Sequence, residues 1–131
     1  MYDIQFLEKL PQLEELNKGY SVIIDALFGF SFKPPVRPLF VPILETLYQT
    51  SVPIVSIDIP SGWDVETGPP MDQPSIKPDM LISLTSPKLC SKYFEGRFHF
   101  LGGRFVPPKM QEKYQLNLPP YEDTDQVVLL S

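Results

Sequence analysis

The sequence is poor in the residues that build metal centres and disulfides. It has a single cysteine, Cys90, and a single histidine, His99, among 131 residues. One cysteine excludes an internal disulfide and a cysteine metal cluster, and one histidine excludes a site with several histidine ligands. We interpret both as packing residues. Glycine is scarce as well, with 7 residues against 16 prolines. Since proline has no amide hydrogen to donate to a helix interior or a sheet, this balance predicts many loops.

Clustered positive charge and long apolar runs are also absent from the sequence. The net charge is −5 and the lysines and arginines are dispersed, so nucleic acid is not an expected partner. No apolar run approaches the roughly 20 residues of a membrane helix, so we expect no membrane span. The first residues show no basic region followed by an apolar stretch, so no targeting signal is predicted there. The composition, 43% hydrophobic and 21% charged, is typical of one globular domain.

Two apolar segments each end in an aspartate. Residues 21–25 read Ser-Val-Ile-Ile-Asp, and residues 54–58 read Ile-Val-Ser-Ile-Asp. Continuous apolar and β-branched runs of this kind predict buried parallel strands. In open α/β sheets, ligands bind beyond the carboxyl ends of the strands. We therefore expect Asp25 and Asp58 at the same edge of the sheet, within a functional site.

The segments around these strands predict an α/β fold. A helix at about 39–49 would join strands at 21–26 and 53–58 into a β-α-β unit, and residues 80–84 read as a third buried strand. The remaining predictions are a helix at 4–17 that is broken or begun at Pro11, helices at 86–94 and 109–115, a long loop at 63–78, an aromatic segment at 97–106 interrupted by Gly102-Gly103, and an extended tail at 118–131. The apolar strands need cover on both faces, which these helices hardly supply, so we expect the chain to be part of a larger domain.

Several motifs occur together in this sequence. Residues 25–33 read Asp-Ala-Leu-Phe-Gly-Phe-Ser-Phe-Lys, and residues 56–65 read Ser-Ile-Asp-Ile-Pro-Ser-Gly-Trp-Asp-Val. Further motifs are Leu-Ile-Ser-Leu-Thr at 81–85, Pro-Lys at 87–88, Leu-Gly-Gly-Arg-Phe-Val-Pro-Pro at 101–108 and Lys-Tyr-Gln-Leu-Asn-Leu-Pro-Pro-Tyr at 113–121. Over roughly residues 20 to 128, the chain resembles the NAD(P)H-hydrate epimerase family, the YjeF amino-terminal domain, whose animal members are also called apolipoprotein A-I-binding proteins.

The resemblance implies a Rossmann-like three-layer α/β sandwich with a mainly parallel sheet, of which residues 1–131 would form part of a single domain. Family members are isomerases that interconvert the R and S forms of hydrated NADH and NADPH during nucleotide repair. The implied substrates are therefore NADHX and NADPHX, and the implied cofactor is one potassium ion per subunit. A homodimer, apolipoprotein A-I as a partner, and a mitochondrial, cytoplasmic or secreted location are further expectations from the resemblance.

The resemblance also implies roles for individual residues. Asp25 and Ser61 would bind the potassium ion, and Asp58 would contact the hydrated nicotinamide as the catalytic acid/base. Inversion at a carbon that bears a hydroxyl needs proton delivery and removal, which a carboxyl group can perform. The residues implied to line the substrate site are Gly29, Phe30, Ser31, Phe32, Lys33, Pro34, Pro35 and Asp58.

The sequence departs from the family pattern in two places. The family's glycine-rich Asn-Asn-Gly-Gly-Asp segment, which binds substrate and supplies another metal ligand, does not occur in it. Residues 33–35 read Lys-Pro-Pro, where the family commonly has Lys-Gly-Asp. We therefore expect the chain to begin about midway through the fold and to be inactive by itself.

Each candidate site residue also has a structural interpretation. Asp58 would cap the loop that follows its strand, Asp25 would be a structural loop acid, and Ser61 would be a turn residue after proline. Lys33 and Arg37 suit the phosphates of a dinucleotide or are solvated loop charges. For the whole chain, the alternative to an enzyme is a non-catalytic binding module, such as an apolipoprotein A-I-binding protein.

Overall fold

The computed structural model describes residues 3–131, which are organised around one five-stranded sheet. The strands are β1 (Ile23–Asp25), β2 (Ile54–Ile57), β3 (Met80–Leu84), β4 (Phe98–Gly102) and β5 (Val127–Leu129), and they lie side by side in chain order. Strands β1 to β4 are parallel, and β5 runs antiparallel to β4. The predicted α/β class with a mainly parallel sheet is therefore confirmed.

The helices that precede and connect the strands are short. They are α1 (Leu13–Gly19), α2 (Val41–Gln49) and α3 (Pro108–Tyr114), with 3₁₀ segments at Pro38–Phe40 and Leu89–Tyr93. The predicted crossover helix is α2, whose Leu44 is buried against Ile54 of β2 and Ile76. The helix predicted at 4–17, broken or begun at Pro11, begins beyond that proline, at Leu13, because the ring of Pro11 would clash inside a helix. No helix within residues 3–131 has the length and apolar character needed to cross a membrane.

The segment 118–131 is not a tail along its whole length. Its last residues form β5, so the prediction of a tail is wrong there. The amide of His99 in β4 donates a hydrogen bond to the carbonyl oxygen of Ser131 at 2.7 Å. Earlier in the segment, Nη1 of Arg104 donates to the carbonyl oxygen of Asp123 at 2.7 Å. Backbone pairing and one arginine therefore hold this segment against the sheet.

The two faces of the sheet differ in burial. One face packs against α2 and the chain that follows β2, and its buried side chains are Asp25, Ile54, Ser56, Leu81, Ser83, His99 and Leu101. On the opposite face, which we call the open face, every side chain is apolar and none is buried. The strand register places Ile24, Val55, Ile57, Met80, Ile82, Leu84, Phe98, Phe100, Val127 and Leu129 on the open face. This arrangement agrees with the expectation that the helices of this chain cover little of the sheet.

Candidate active site at the carboxyl edge of the sheet

Asp58 lies directly after β2, at the carboxyl edge of the parallel strands. Its amide donates to the carbonyl oxygen of Ile82 in β3 at 2.8 Å, which extends the strand pairing by one residue. Its φ of 73° then turns the chain out of the sheet. Positive φ is uncommon outside glycine, although aspartate tolerates it better than most residues do. The turn leaves Asp58 8% exposed at the sheet edge.

Two groups hold the Asp58 carboxylate. The amide of Phe30 donates to Oδ2 at 2.8 Å. Nζ of Lys88 lies 2.6 Å from Oδ1, where it forms an ion pair rather than a well-directed hydrogen bond. Nζ of Lys88 also donates to the carbonyl oxygen of Leu84, at the end of β3, at 2.8 Å. The third strand therefore brings a positive charge to the acid that follows the second strand.

Asp25 ends β1 and is 1% exposed. Its Oδ2 accepts two hydrogen bonds, from Oγ of Ser56 at 2.7 Å and from the amide of Ser61 at 2.9 Å. Its Oδ1 is buried and has no hydrogen-bond partner among the described residues. Because a buried carboxylate oxygen without a partner is costly, this atom is suited to a bound cation.

The loop that follows β1 reaches both acids. The amide of Phe28 donates to Oγ of Ser61 at 3.0 Å, while the amide of Phe30 bonds Asp58. A Cβ atom at Gly29 would lie 3.1 Å from Oδ2 of Asp58, so a glycine suits the close approach of the backbone. The structure thus brings Asp25, Ser61, Asp58 and the first part of this loop together.

The second part of the loop faces elsewhere. Phe32 stacks on Phe28, with ring centroids 4.8 Å apart. Phe32, Pro34 and Pro35 line a cavity of about 780 Å³ between α2 and residues 62–74. Ser31 and Lys33 are exposed, and Lys33 is not brought to Asp58 by any ion pair in the described structure. The residues predicted to line the substrate site are therefore divided between two places.

Sequence reasoning assigned no role to Lys88 or Ser56. Lys88 lies in the loop that follows β3, so its place beyond a strand end was the available signal. Ser56 was visible as a polar residue within an apolar strand, on the face that it shares with Asp25. Both residues are recognised only when the strands are aligned in the sheet.

Neither His99 nor Cys90 forms a hydrogen bond or an ion pair with these carboxylates in the described structure. Nε2 of His99 is 2.8 Å from Oγ of Ser83, and burial lowers the pKa of the imidazole. Burial also raises the pKa of the Cys90 thiol to about 11, so this residue is protonated at neutral pH. Within residues 3–131, no group of three or more His, Cys, Asp or Glu side chains is placed to hold a metal ion.

The parallel sheet, its crossover helix and the acids beyond neighbouring strands define a Rossmann-like α/β protein with a site at the carboxyl edge. The chain belongs to the family described as YjeF-related protein N-terminus, whose model matches residues 2–90. The predicted family is therefore confirmed.

Two relatives support this assignment. An NAD(P)H-hydrate epimerase from Aedes aegypti is 58% identical over 121 residues, which cover 92% of this chain and 52% of that protein. The crystal structure of the yeast protein ynu0, YNL200c, matches with a TM-score of 0.81 at 46% identity and covers 90% of this chain and 50% of the yeast chain. The chain thus spans about half the length of these relatives.

Proposed function

We propose that this chain carries part of the active site of an NAD(P)H-hydrate epimerase, an isomerase that acts on hydrated NADH and NADPH. The observation that carries the proposal is the position of Asp58, which lies beyond β2 in contact with Lys88 and the amide of Phe30. The name of the Aedes relative supports this reaction and favours it over a non-catalytic binding module.

In this proposal Asp58 is the catalytic acid/base. Epimerisation inverts a carbon that bears a hydroxyl, so a proton must reach the oxygen when it leaves and be removed when it returns. The Phe30 amide fixes Oδ2, and Oδ1 faces the Lys88 ammonium, so the carboxylate has one set orientation. Fixed positioning of a reacting group contributes heavily to rate, which is why both contacts matter.

We also propose that Asp25 and Ser61 bind a potassium ion. The support is the buried Oδ1 of Asp25, which has no partner among the described residues, and the position of Ser61, whose amide donates to Oδ2 of the same carboxylate at 2.9 Å. These two residues supply only part of an oxygen shell. When bound, the ion would neutralise the Asp25 carboxylate and hold the loops after β1 and β2 together.

The role of Asp58 is tested in a chimera in which the part of the Aedes relative that this chain does not match is joined to its amino terminus. We expect the chimera to interconvert purified S and R hydrates of NADH, measured by chiral separation. Asp58→Asn keeps the shape of the side chain, removes the titrating group and should lower the rate about 10²–10⁴-fold.

The matched control is Asp72→Asn, which changes an exposed aspartate in the loop after β2 and should leave the rate unchanged. We expect no turnover by the 131-residue chain alone, because half a site positions its substrate poorly. Near full activity in Asp58→Asn would mean that this residue only orients the substrate.

The potassium site is tested by thermal unfolding of the same chimera in potassium chloride and in tetramethylammonium chloride of equal ionic strength. Binding at ten times the dissociation constant stabilises by about 1.4 kcal/mol, so the melting temperature should be higher in potassium. Asp25→Asn keeps an oxygen for Ser56 and Ser61 but should remove the difference, while Asp72→Asn should retain it. If the melting-temperature difference between the two salts is unchanged in Asp25→Asn, Asp25 has only a structural role.

A further inference from the structure

The two oxygens of the Asp58 carboxylate have different surroundings. Oδ2 accepts the hydrogen bond of the Phe30 amide at 2.8 Å, while Oδ1 lies 2.6 Å from Nζ of Lys88, its one ionic partner within residues 3–131. The side chain of Asp58 is 11% exposed, but Oδ1 is buried, so the exposure lies elsewhere on the side chain. A proton exchanged with a bound molecule must therefore enter and leave at Oδ2, and Oδ1 is reached only from the protein side.

The ammonium group of Lys88 is fixed and partly buried. Nζ donates a hydrogen bond to the carbonyl oxygen of Leu84 at 2.8 Å and lies 5.9 Å from the centroid of the Phe30 ring. The side chain is 20% exposed. Because water screens a partly buried charge less than a solvated one, an ammonium held here acts strongly on the carboxylate of Asp58.

The turn that leads to Lys88 is strained. Thr85 directly follows β3 and has a φ of 66°, which is a rare value for a β-branched residue. The sheet enforces this conformation, since the amide of Thr85 donates to the carbonyl oxygen of Gly102 in β4 at 2.9 Å. Strained backbone persists only where the surrounding structure over-determines it, and such positions cluster at functional sites. Beyond this turn the side chain of Lys88 reaches back to the end of β3, at Leu84.

A buried cluster joins the segment of Lys88 to the segment of Asp58. Cys90, two residues after the lysine, packs with Ile59 and Trp63 in this cluster. Ile59 directly follows Asp58, and both Ile59 and Cys90 are fully buried. Since close-packed interiors resist deformation, the cluster keeps the two segments together. The protein core therefore places the lysine, and its attraction to the acid is not the only force that does so.

We propose that Lys88 is a positioning residue that acts on the substrate only through Asp58, by stabilising the carboxylate that forms each time Oδ2 gives up its proton. This inference rests on the proposed epimerase function. When the bond between the substrate carbon and its hydroxyl oxygen breaks, both bonding electrons go to the oxygen and Oδ2 supplies a proton. Water then leaves, and Asp58 remains as an anion beside the ammonium. When water adds to the other face of that carbon, Oδ2 takes the proton back.

A purely structural ion pair is the competing interpretation, and its geometry would differ. Arg97 and Asp79 form such a pair just before β4 and β3, where Nε and Nη2 donate one hydrogen bond to each carboxylate oxygen. Lys88 instead directs its hydrogen bond at the carbonyl oxygen of Leu84 and offers Oδ1 of Asp58 its charge without a well-directed hydrogen bond. The pair at the candidate site is therefore arranged to supply charge rather than to lock two side chains together.

The test is a double-mutant cycle in the chimera described under the proposed function. Lys88→Met keeps the apolar stem and removes the charge, so kcat should fall about 10–100-fold, whereas KM should change less than about threefold because the lysine does not touch the substrate. In Asp58→Asn the same change should lower kcat no further, because an amide does not ionise. Lys88→Arg restores the charge and should recover most of the lost rate.

Two further variants separate the charge of Lys88 from other effects. Lys88→Gln is neutral but can still donate a hydrogen bond, so its kcat should be as low as that of Lys88→Met. The matched control is Lys92→Met, which changes an exposed lysine of the same connection that forms no ion pair within residues 3–131. Its kcat should be unchanged. Circular dichroism shows whether each variant folds.

The possible failures of this inference and of the proposed function differ. An active chimera whose kcat is unchanged in the folded Lys88→Met or Lys88→Gln variant would overturn the role of Lys88 alone. Equal losses from Lys88→Met with and without Asp58→Asn would also overturn it, because the lysine would then act independently of the acid. A folded chimera that does not interconvert the hydrates would overturn the proposed function, and this inference with it.

Discussion

Asp25 and Asp58 follow neighbouring parallel strands, yet the structure holds them in different ways. Oδ2 of Asp25 takes both of its hydrogen bonds, which leaves Oδ1 buried and free to meet a cation. Asp58 has one partner on each carboxylate oxygen: the Phe30 amide contacts Oδ2 and the Lys88 ammonium contacts Oδ1. At the scale of the residue, two chemically identical side chains are therefore suited to different tasks.

His99 provides a pH prediction at the same scale. Burial lowers its folded-state pKa below the ordinary value of 6.5, so the unfolded chain takes up a proton at a higher pH than the folded chain does. The free energy of unfolding should therefore fall as the pH is lowered from 7 through 6.5 to 5. His99→Gln removes the titration and keeps a polar group for Ser83, so it should flatten this fall.

Urea unfolding of the chimera described under the proposed function, at pH 5, 6 and 7, measures the effect. The pKa of Asp64, which accepts from the amides of Thr67 and Glu66, and the pKa of Asp79, which is bound by Arg97, are also altered. In both cases the pKa lies below its ordinary 3.8, so their stabilisation is lost only at lower pH than this range. Equal pH slopes for the unsubstituted chimera and its His99→Gln variant would show that His99 does not cause the fall.

At the scale of the element, β5 is the strand that changes the interpretation of the fold. It closes the β4 edge of the sheet, where the amide of Leu130 donates to the carbonyl oxygen of His99 at 2.8 Å and the amide of His99 donates to Ser131. Antiparallel pairing needs no crossover helix, so a short segment at the end of the chain can add a strand to a parallel sheet.

Removal of residues 127–131 from the same chimera should destabilise the sheet. The lost hydrogen bonds are each worth about 1 kcal/mol, so we expect a loss of about 2–4 kcal/mol in the free energy of unfolding. Amide exchange in Phe98–Gly102 should become faster. The matched control removes residues 3–7, five exposed residues outside any helix or strand, and should change neither quantity. Unaltered exchange in β4 after removal of 127–131 would show that β5 contributes nothing.

At the scale of the whole molecule, the sheet is a boundary between a packed side and an open side. Leu44, Ile54 and Ile76 form a core on one side, and Ile59, Trp63 and Cys90 form a second cluster. Only one face of the sheet therefore contributes a buried core. Because burial of apolar area is the main favourable term in folding, a sheet buried on one face gains much less of it.

We accordingly expect the chain alone to self-associate and to lack a sharp thermal transition. The measurements are light scattering against concentration, a thermal melt and binding of a dye specific for exposed apolar surface. The double change Ile24→Thr and Leu129→Thr should reduce association and dye binding, while Met71→Thr should not, because Met71 is exposed away from the sheet. A monomer with a sharp cooperative melt and slowly exchanging amides in 54–58 would contradict this expectation.

The sequence by itself determined the α/β class, the central strands, the crossover helix and the family. Continuous β-branched runs of this length favour parallel strands, and an acid that ends such a run is expected at the carboxyl edge of the sheet. Asp25, Asp58 and the motifs around them were therefore visible before any contact was known. The bounds of β3 were predicted as the structure has them, at Met80–Leu84.

Only the tertiary structure decided what lies across the strands. Ile23 and Ile24 are adjacent residues of the same type, yet Ile23 packs against the core while Ile24 is 58% exposed on the open face. A strand that is apolar on both faces carries no signal of which face is covered, because that depends on the elements packed against it. The pairing of Lys88 with Asp58 and the addition of β5 arise in the same way, from residues that are distant in sequence and become neighbours only when the sheet forms.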